Sequence, residues 1–146
     1  MSSGMKQLTG EQIKEIADQL DMGFRSFWNK KTNEVLFLPD MDKYPDFDID
    51  TFAEESEKLK NNFKDYDEIE SMKSSDSFKI MAAFTEQLTG NKNLQHRLVF
   101  ALNDKKPFAR FKDVIDSSGE YRDKWFKFKD AKLKEWVVKK IEEIRK

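Results

Sequence analysis

From Ser75 to the C-terminus, apolar side chains return every three or four residues, and the last 27 residues, Glu120 to Lys146, contain neither Gly nor Pro. A period near 3.6 places those side chains along one face of a helix and does not fit the two-residue alternation of a strand. About half of the chain is thereby committed to helices whose apolar stripes must be buried. Ser75 or Asp76 caps the first, with Met81, Phe84 and Leu88 on one face and Thr89-Gly90 closing it. Asn91 caps the second, which carries Leu94, Leu98, Ala101 and Leu102. Pro107 suits the first turn of a third, where Phe108, Phe111 and Ile115 fall at i, i+3 and i+7. After Ser117-Ser118-Gly119, a stripe of Tyr121, Trp125, Phe128, Leu133, Trp136, Val137, Ile141 and Ile144 predicts one long helix, or two with a bend near Asp130.

The first half reads differently. Thr9-Gly10-Glu11-Gln12 is a capping box, and Ile13, Ile16, Ala17 and Leu20 give a helix of about three turns that Gly23 ends. Phe24–Trp28 and Val35–Leu38 are β-rich runs joined by Asn29-Lys30-Lys31-Thr32-Asn33-Glu34, a predicted hairpin stopped by Pro39. Residues 40–50 form a loop from which Asp48 or Asp50 caps a helix with Ile49, Phe52, Ala53, Leu59 and Phe63 roughly in phase. Tyr66 to Met72 alternates and is a candidate third strand, which a hairpin needs for stability. The expectation is a single α+β domain: a small antiparallel sheet of two or three strands plus a predominantly helical C-terminal half. Residues 5–72 form the helix–hairpin–helix–strand part and 73–146 the helical part. Met1-Ser2-Ser3-Gly4, ahead of Met5, reads as a start-site remnant and is set aside from the fold.

Aromatic and basic residues interleave in KKPFARFK at 105–112 and KWFKFK at 124–129, as in a nucleic-acid-binding strip. Such a strip needs its rings exposed beside its charges. Helical spacing separates the two instead, sending the rings inward and leaving lysine stems to lie over the edge. Phe126 alone falls off the stripe and is expected to be partly exposed. Arg110, Lys112, Lys124 and Lys127 remain candidates for phosphate contacts. A net charge of −1 hides the background: residues 40–70 hold 12 Asp/Glu against 4 Lys, and residues 92–146 hold 16 Lys/Arg against 9 Asp/Glu. Those segments either neutralise one another or leave a basic ridge open for nucleic acid.

The segment Leu94–Ile144 resembles an uncharacterised bacterial protein family of unknown function. The resemblance rests on A-L-N-x-x-x-x-F-x-R-F-K-D-V at Ala101–Val114 and W-F-x-F-x-D at Trp125–Asp130. Thr32-Asn33-Glu34-Val35 is similar to that family's Thr-Gly-Glu-Val hairpin, with Asn33 in place of Gly; both tolerate positive φ. Asp104 likewise stands where the family has Gly. The resemblance implies an α+β fold and no activity.

Chemical motifs are sparse. There is no cysteine, which removes disulfides, zinc–thiolate sites and thiol nucleophiles. No Gly-rich phosphate loop, nucleophile elbow or His-Glu-x-x-His occurs, so no cofactor is expected. His96 is the only histidine and lies off its helix's apolar stripe. Asp46, Asp48, Asp50 and Glu57 match positions 1, 3, 5 and 12 of a calcium loop, but Thr51 occupies the position that requires Gly. The alternative is a helix N-terminus dressed with carboxylates. No apolar run approaches a membrane span, and the expected location is cytoplasmic. Phe24, Phe27, Trp28 and Phe37 put large apolar groups on both faces of the hairpin. One face can pack on helices; the other is either a partner surface or is covered by the helix from 49 to 63. With Phe126, the residues Phe27, Trp28 and Phe37 are the candidate partner contacts. The leading expectation is a non-catalytic interaction or regulatory protein binding another protein. A nucleic-acid-associated protein using the basic ridge is the second, and a carboxylate-dependent enzyme acting on a small substrate the third.

Overall fold

The computed structural model describes residues 7–46 and 48–145, apart from the side chain of Ile49; residues 1–4, expected to be a start-site remnant, lie outside the described residues. The chain is α+β, with a helical C-terminal half. Contacts divide it into two compact units, one made of residues 1–71 and 133–146, the other of residues 72–132. Residues 133–146 thus fall in the unit that holds the sheet.

In the first unit, α1 (Gly10–Asp21) opens on the expected capping box: the Gln12 N–H donates to Thr9 Oγ1 at 3.1 Å and the Thr9 N–H to Gln12 Oε1 at 3.0 Å. Such a cap is worth about 1 kcal/mol. Ile16, Ala17 and Leu20 are buried, and Gly23 turns the chain at φ +91°. Strands β1 (Phe24–Asn29), β2 (Val35–Pro39) and β3 (Tyr66–Ile69) form an antiparallel sheet in the order β2-β1-β3. The register pairs Ser26 with Phe37 and with Ile69, and Phe27 with Leu36 and with Glu68. Asn33 takes φ +70°, as a type of turn that accepts Gly or Asn demands.

The central strand β1 does not alternate in burial. Phe27 and Trp28 point to opposite faces, yet both are buried, because both faces are covered. Leu59 of α2 (Ala53–Asn61) packs on Phe27, Leu36 and Tyr66 on one side. Ser26, Trp28 and Ile69 occupy the other, where α1 meets β1. Helix α2 is entered through a 3-10 turn, Ile49–Phe52, capped by Asp48. It stops at Asn61, so Phe63, expected on its apolar stripe, lies in a second short turn at 65% exposure.

The second unit holds α3 (Ser74–Gln87), α4 (Lys92–Leu102), α5 (Pro107–Asp116) and the first part of α6 (Glu120–Arg145), which is one helix. Helix α3 starts two residues earlier than expected: Asp76 accepts from the Lys73 N–H, the role of an N3 acid rather than a cap. Met81, Phe84, Leu88, Leu94, Leu98, Ala101, Phe111, Ile115 and Trp125 form its core. The rings of Phe84 and Phe111 each meet Trp125 edge-on, at 5.3 and 4.9 Å between centroids, contacts worth about 0.5–1.5 kcal/mol each beyond their burial. Phe108 was expected in this row but is exposed, because it sits in the first turn of α5, a full turn short of the packed Phe111. Beyond Lys132, α6 buries Leu133, Val137 and Ile141, and the Trp136 indole donates to the Glu70 carbonyl at 2.8 Å within the first unit. No helix among the described residues is long and apolar enough to cross a membrane.

Candidate interaction site

Helices α3 and α4 are antiparallel neighbours joined by Leu88–Asn91. Near that connection the Gln95 side-chain amide donates to the Thr85 carbonyl at 2.9 Å and pins the two together. Beginning at that bond and running away from the connection, the helices leave an open groove of about 450 Å³. Phe78, Ala82, Val99 and Leu102 give it an apolar lining, and Glu86, Gln95 and Asn103 add polar groups. Ala82 is the smallest side chain of that lining. Phe78 and Leu102 also pack on the core beneath, so the floor is continuous with rigid structure. Val99 is exposed, and its neighbour Phe100, at 78%, is the most exposed large apolar residue described.

The sequence missed this groove. Its signal was present: Val99 and Phe100 lie off the α4 stripe of 94, 98, 101 and 102, and two consecutive apolar residues off a stripe imply exposed apolar surface.

Of the four candidate partner contacts, Phe27, Trp28 and Phe37 lie in the first unit and Phe126 in the second. Trp28 is fully buried, its indole donating to Asn33 Oδ1 at 2.9 Å, and Phe27 is buried under α2. Both are core residues, and of the two alternatives for the hairpin's second face, cover by α2 holds for the face that carries Phe27. Phe37 is half-buried on β2. Phe126 is off the stripe and 39% exposed, with the Arg122 guanidinium 4.8 Å and the Lys129 ammonium 5.3 Å from its ring centre. Each such contact is worth roughly 0.5–1 kcal/mol at an exposed site.

Arg110, Lys112, Lys124 and Lys127 are all exposed. Arg110 lies 3.7 Å from Asp104, and Lys112 and Arg122 share Asp116 at 3.1 and 3.3 Å. Lys112, then Arg122, holds the Asp116 carboxyl below its ordinary range. Lys124 lies over the Tyr121 ring at 4.8 Å. Within the first unit, Arg25, Lys30 and Lys31 pair with Glu68, Asp67 and Asp65 at 2.8, 2.7 and 3.2 Å. Part of each charged segment is therefore offset by carboxylates or cations of its own unit.

Asp46, Asp48, Asp50 and Glu57 are exposed, and the Asp48 carboxylate is occupied as a cap, accepting from the Asp50 N–H at 3.0 Å. Among the described residues no three acidic or histidine side chains converge to hold a metal ion. His96 is exposed on α4. A carboxylate-dependent enzyme would need two convergent carboxylates in a pocket; the α3–α4 groove presents one, Glu86. The remaining polar cluster ties the sheet to α2. Tyr66 Oη donates to Glu34 Oε1 at 2.8 Å, and Lys58 Nζ donates to Glu34 Oε2 at 3.0 Å. The Tyr66 bond, then the Lys58 bond, pulls the Glu34 carboxyl below its ordinary range, while burial pushes the Tyr66 phenol up.

The model of the uncharacterised protein family UPF0158 matches residues 7–145. The chain belongs to that family. The UPF0158 match covers the hairpin, the groove helices and the α4–α6 segment that carries the motifs at Ala101–Val114 and Trp125–Asp130. No curated protein matches the chain, and no solved structure does.

Proposed function

We propose that this protein is a non-catalytic interaction protein that binds another protein through the groove between α3 and α4. The observation that carries the reading is the open apolar lining of Phe78, Ala82, Val99 and Leu102 over a packed core. Rigid, partly desolvated apolar floors beside an exposed aromatic are where association energy concentrates. Replacing Val99 with a photo-crosslinking residue is the test. Position 99 should yield one discrete adduct in the host, and a crosslinker at exposed Thr51 should not. Equal labelling from both positions overturns the reading.

A nucleic-acid role is supported by a different observation. Residues 72–132 hold 13 Lys/Arg against 8 Asp/Glu, a net +5, and Phe126 is a partly exposed ring between two cations. A single-stranded oligonucleotide bound with steep salt dependence, and lost in Lys124→Glu/Lys127→Glu, would favour it. The pairing of Arg110, Lys112 and Arg122 with Asp104 and Asp116 leaves it second.

A further inference from the structure

We infer that the occupant of the α3–α4 groove is an amphipathic helix of another protein, with two apolar anchors about two turns apart and acidic residues flanking them. This rests on the protein-binding reading above and names the partner's chemistry. Length is the first argument. The lining runs from Phe78 to Glu86 on α3 and from Gln95 to Asn103 on α4, eight rises on each helix, so at 1.5 Å per rise the groove is about 12 Å long. That length matches anchors at i and i+7 with one between, the spacing by which helices seat in grooves. Openness is the second. Exposed Val99 forms one wall, so a small molecule would remain largely in water, whereas a helix would cover the wall along its length.

Charge is the third. Lys79 heads the α3 row that continues through Ala82 and Glu86, and Lys92 heads the α4 row that continues through Gln95 and Val99. Both lysines are exposed. Because the helices are antiparallel, one lies at each end of the groove. Glu86 is the one carboxylate in the lining, and the surrounding unit is net +5. An acidic helix is drawn to such a surface and a basic one repelled.

The test uses the full-length protein and three labelled synthetic peptides of about four turns. One carries Leu anchors at i, i+3 and i+7 on a Glu-rich helix, the second has Lys for each Glu, and the third scrambles the first. Fluorescence anisotropy gives affinity, and amide shifts locate the site. The Leu/Glu helix should bind at least tenfold more tightly than either control and shift residues 78–86 and 95–103. Ala82→Trp, which fills the groove, and Val99→Glu, on an exposed wall, should each weaken it tenfold or more; thermal melts of both confirm that they fold. Lys79→Glu/Lys92→Glu should reverse the preference between the Glu and Lys peptides. Equal affinity for the Glu and Lys helices overturns the acidic partner but leaves the protein-binding groove standing. Equal affinity for the scrambled peptide, or shifts confined to residues outside the groove, overturns the inference outright. If no peptide binds and a single-stranded oligonucleotide does, the protein-binding reading falls with it.

Discussion

Gly23 joins α1 to β1 at φ +91°, and a Cβ there would stand 2.9 Å from Cε2 of Tyr44, whose hydroxyl donates to the Met22 carbonyl at 2.6 Å. Gly23→Ala therefore combines left-handed strain of about 1–2 kcal/mol with loss of the Tyr44 bond, about 0.5–1.5 kcal/mol. Gly90 shares the same φ, but its nearest neighbour would be the Tyr121 hydroxyl at 3.6 Å, so Gly90→Ala should cost the strain alone. Urea denaturation should place Gly23→Ala below Gly90→Ala, and Tyr44→Ala should add little on top of Gly23→Ala. Full additivity would mean that the ring and the glycine are unconnected. Asn33 sharpens the same point. Its φ of +70° suits Gly better, but its side chain accepts from the Trp28 indole and donates to the Gln7 carbonyl at 3.0 Å. Asn33→Gly relieves about 1 kcal/mol of strain and leaves a buried indole N–H unpaired, a loss of about 1–3 kcal/mol. The expected sign is destabilisation by about 1 kcal/mol; a more stable variant would show that Asn33 serves only the turn.

At the scale of elements, α2 is held to the sheet by Leu59 and by the Tyr66–Glu34–Lys58 chain of hydrogen bonds. Glu34 titrates lower in the folded chain than in the unfolded one. Below its ordinary value of 4.5 the unfolded state therefore takes up the proton first, and stability falls as pH drops through that window. Tyr66 titrates higher when folded, so its contribution is present below its ordinary value of 10.0 and is lost as pH rises above it. Glu34→Gln should flatten the acid limb of a stability–pH profile, and Tyr66→Phe the alkaline limb. Unchanged limbs in both variants would show that other groups set them. Neither bond was legible in the sequence, because Glu34 and Tyr66 are 32 residues apart and nothing local pairs them. Local signals carried further: the Thr9–Gln12 box, the Asn91 cap and the Pro107 start all form as read. Phe63 failed because α2 ends before it, and Phe108 because it stands in the first turn of α5. Periodicity assigns a face, but at a helix end the neighbouring element need not reach that far. Of the groove only the off-stripe pair Val99-Phe100 was legible, because the space between Ala82 and Val99 is a property of two helices together.

Over the whole molecule, the division into units cuts across chain order: residues 133–146 belong with the N-terminal sheet and not with the helices that immediately precede them. That segment buries Leu133, Val137 and Ile141 and supplies the Trp136 bond to Glu70, next to the end of β3. Arg145 lies 5.5 Å from the ring centre of Trp28. Burial of three aliphatic side chains is worth about 4.5–9 kcal/mol at 1.5–3 kcal/mol each, the scale of a small domain's entire stability. A three-stranded sheet of strands four to six residues long has little else to spare. Ending the chain at Lys132 should therefore unfold the sheet unit, while the core around Phe84, Phe111 and Trp125, drawn from residues 78–128, retains its side chains. Amide exchange should then show lost protection at Arg25–Trp28 and Asp67–Ile69 with protection kept in α4 and α5. The double substitution Val137→Ala/Ile141→Ala, which keeps the chain length, should produce a milder form of the same pattern. Protection lost uniformly in both variants would mean that the two units fold as one cooperative block, and protection kept at β1 would mean that the sheet holds without its C-terminal segment.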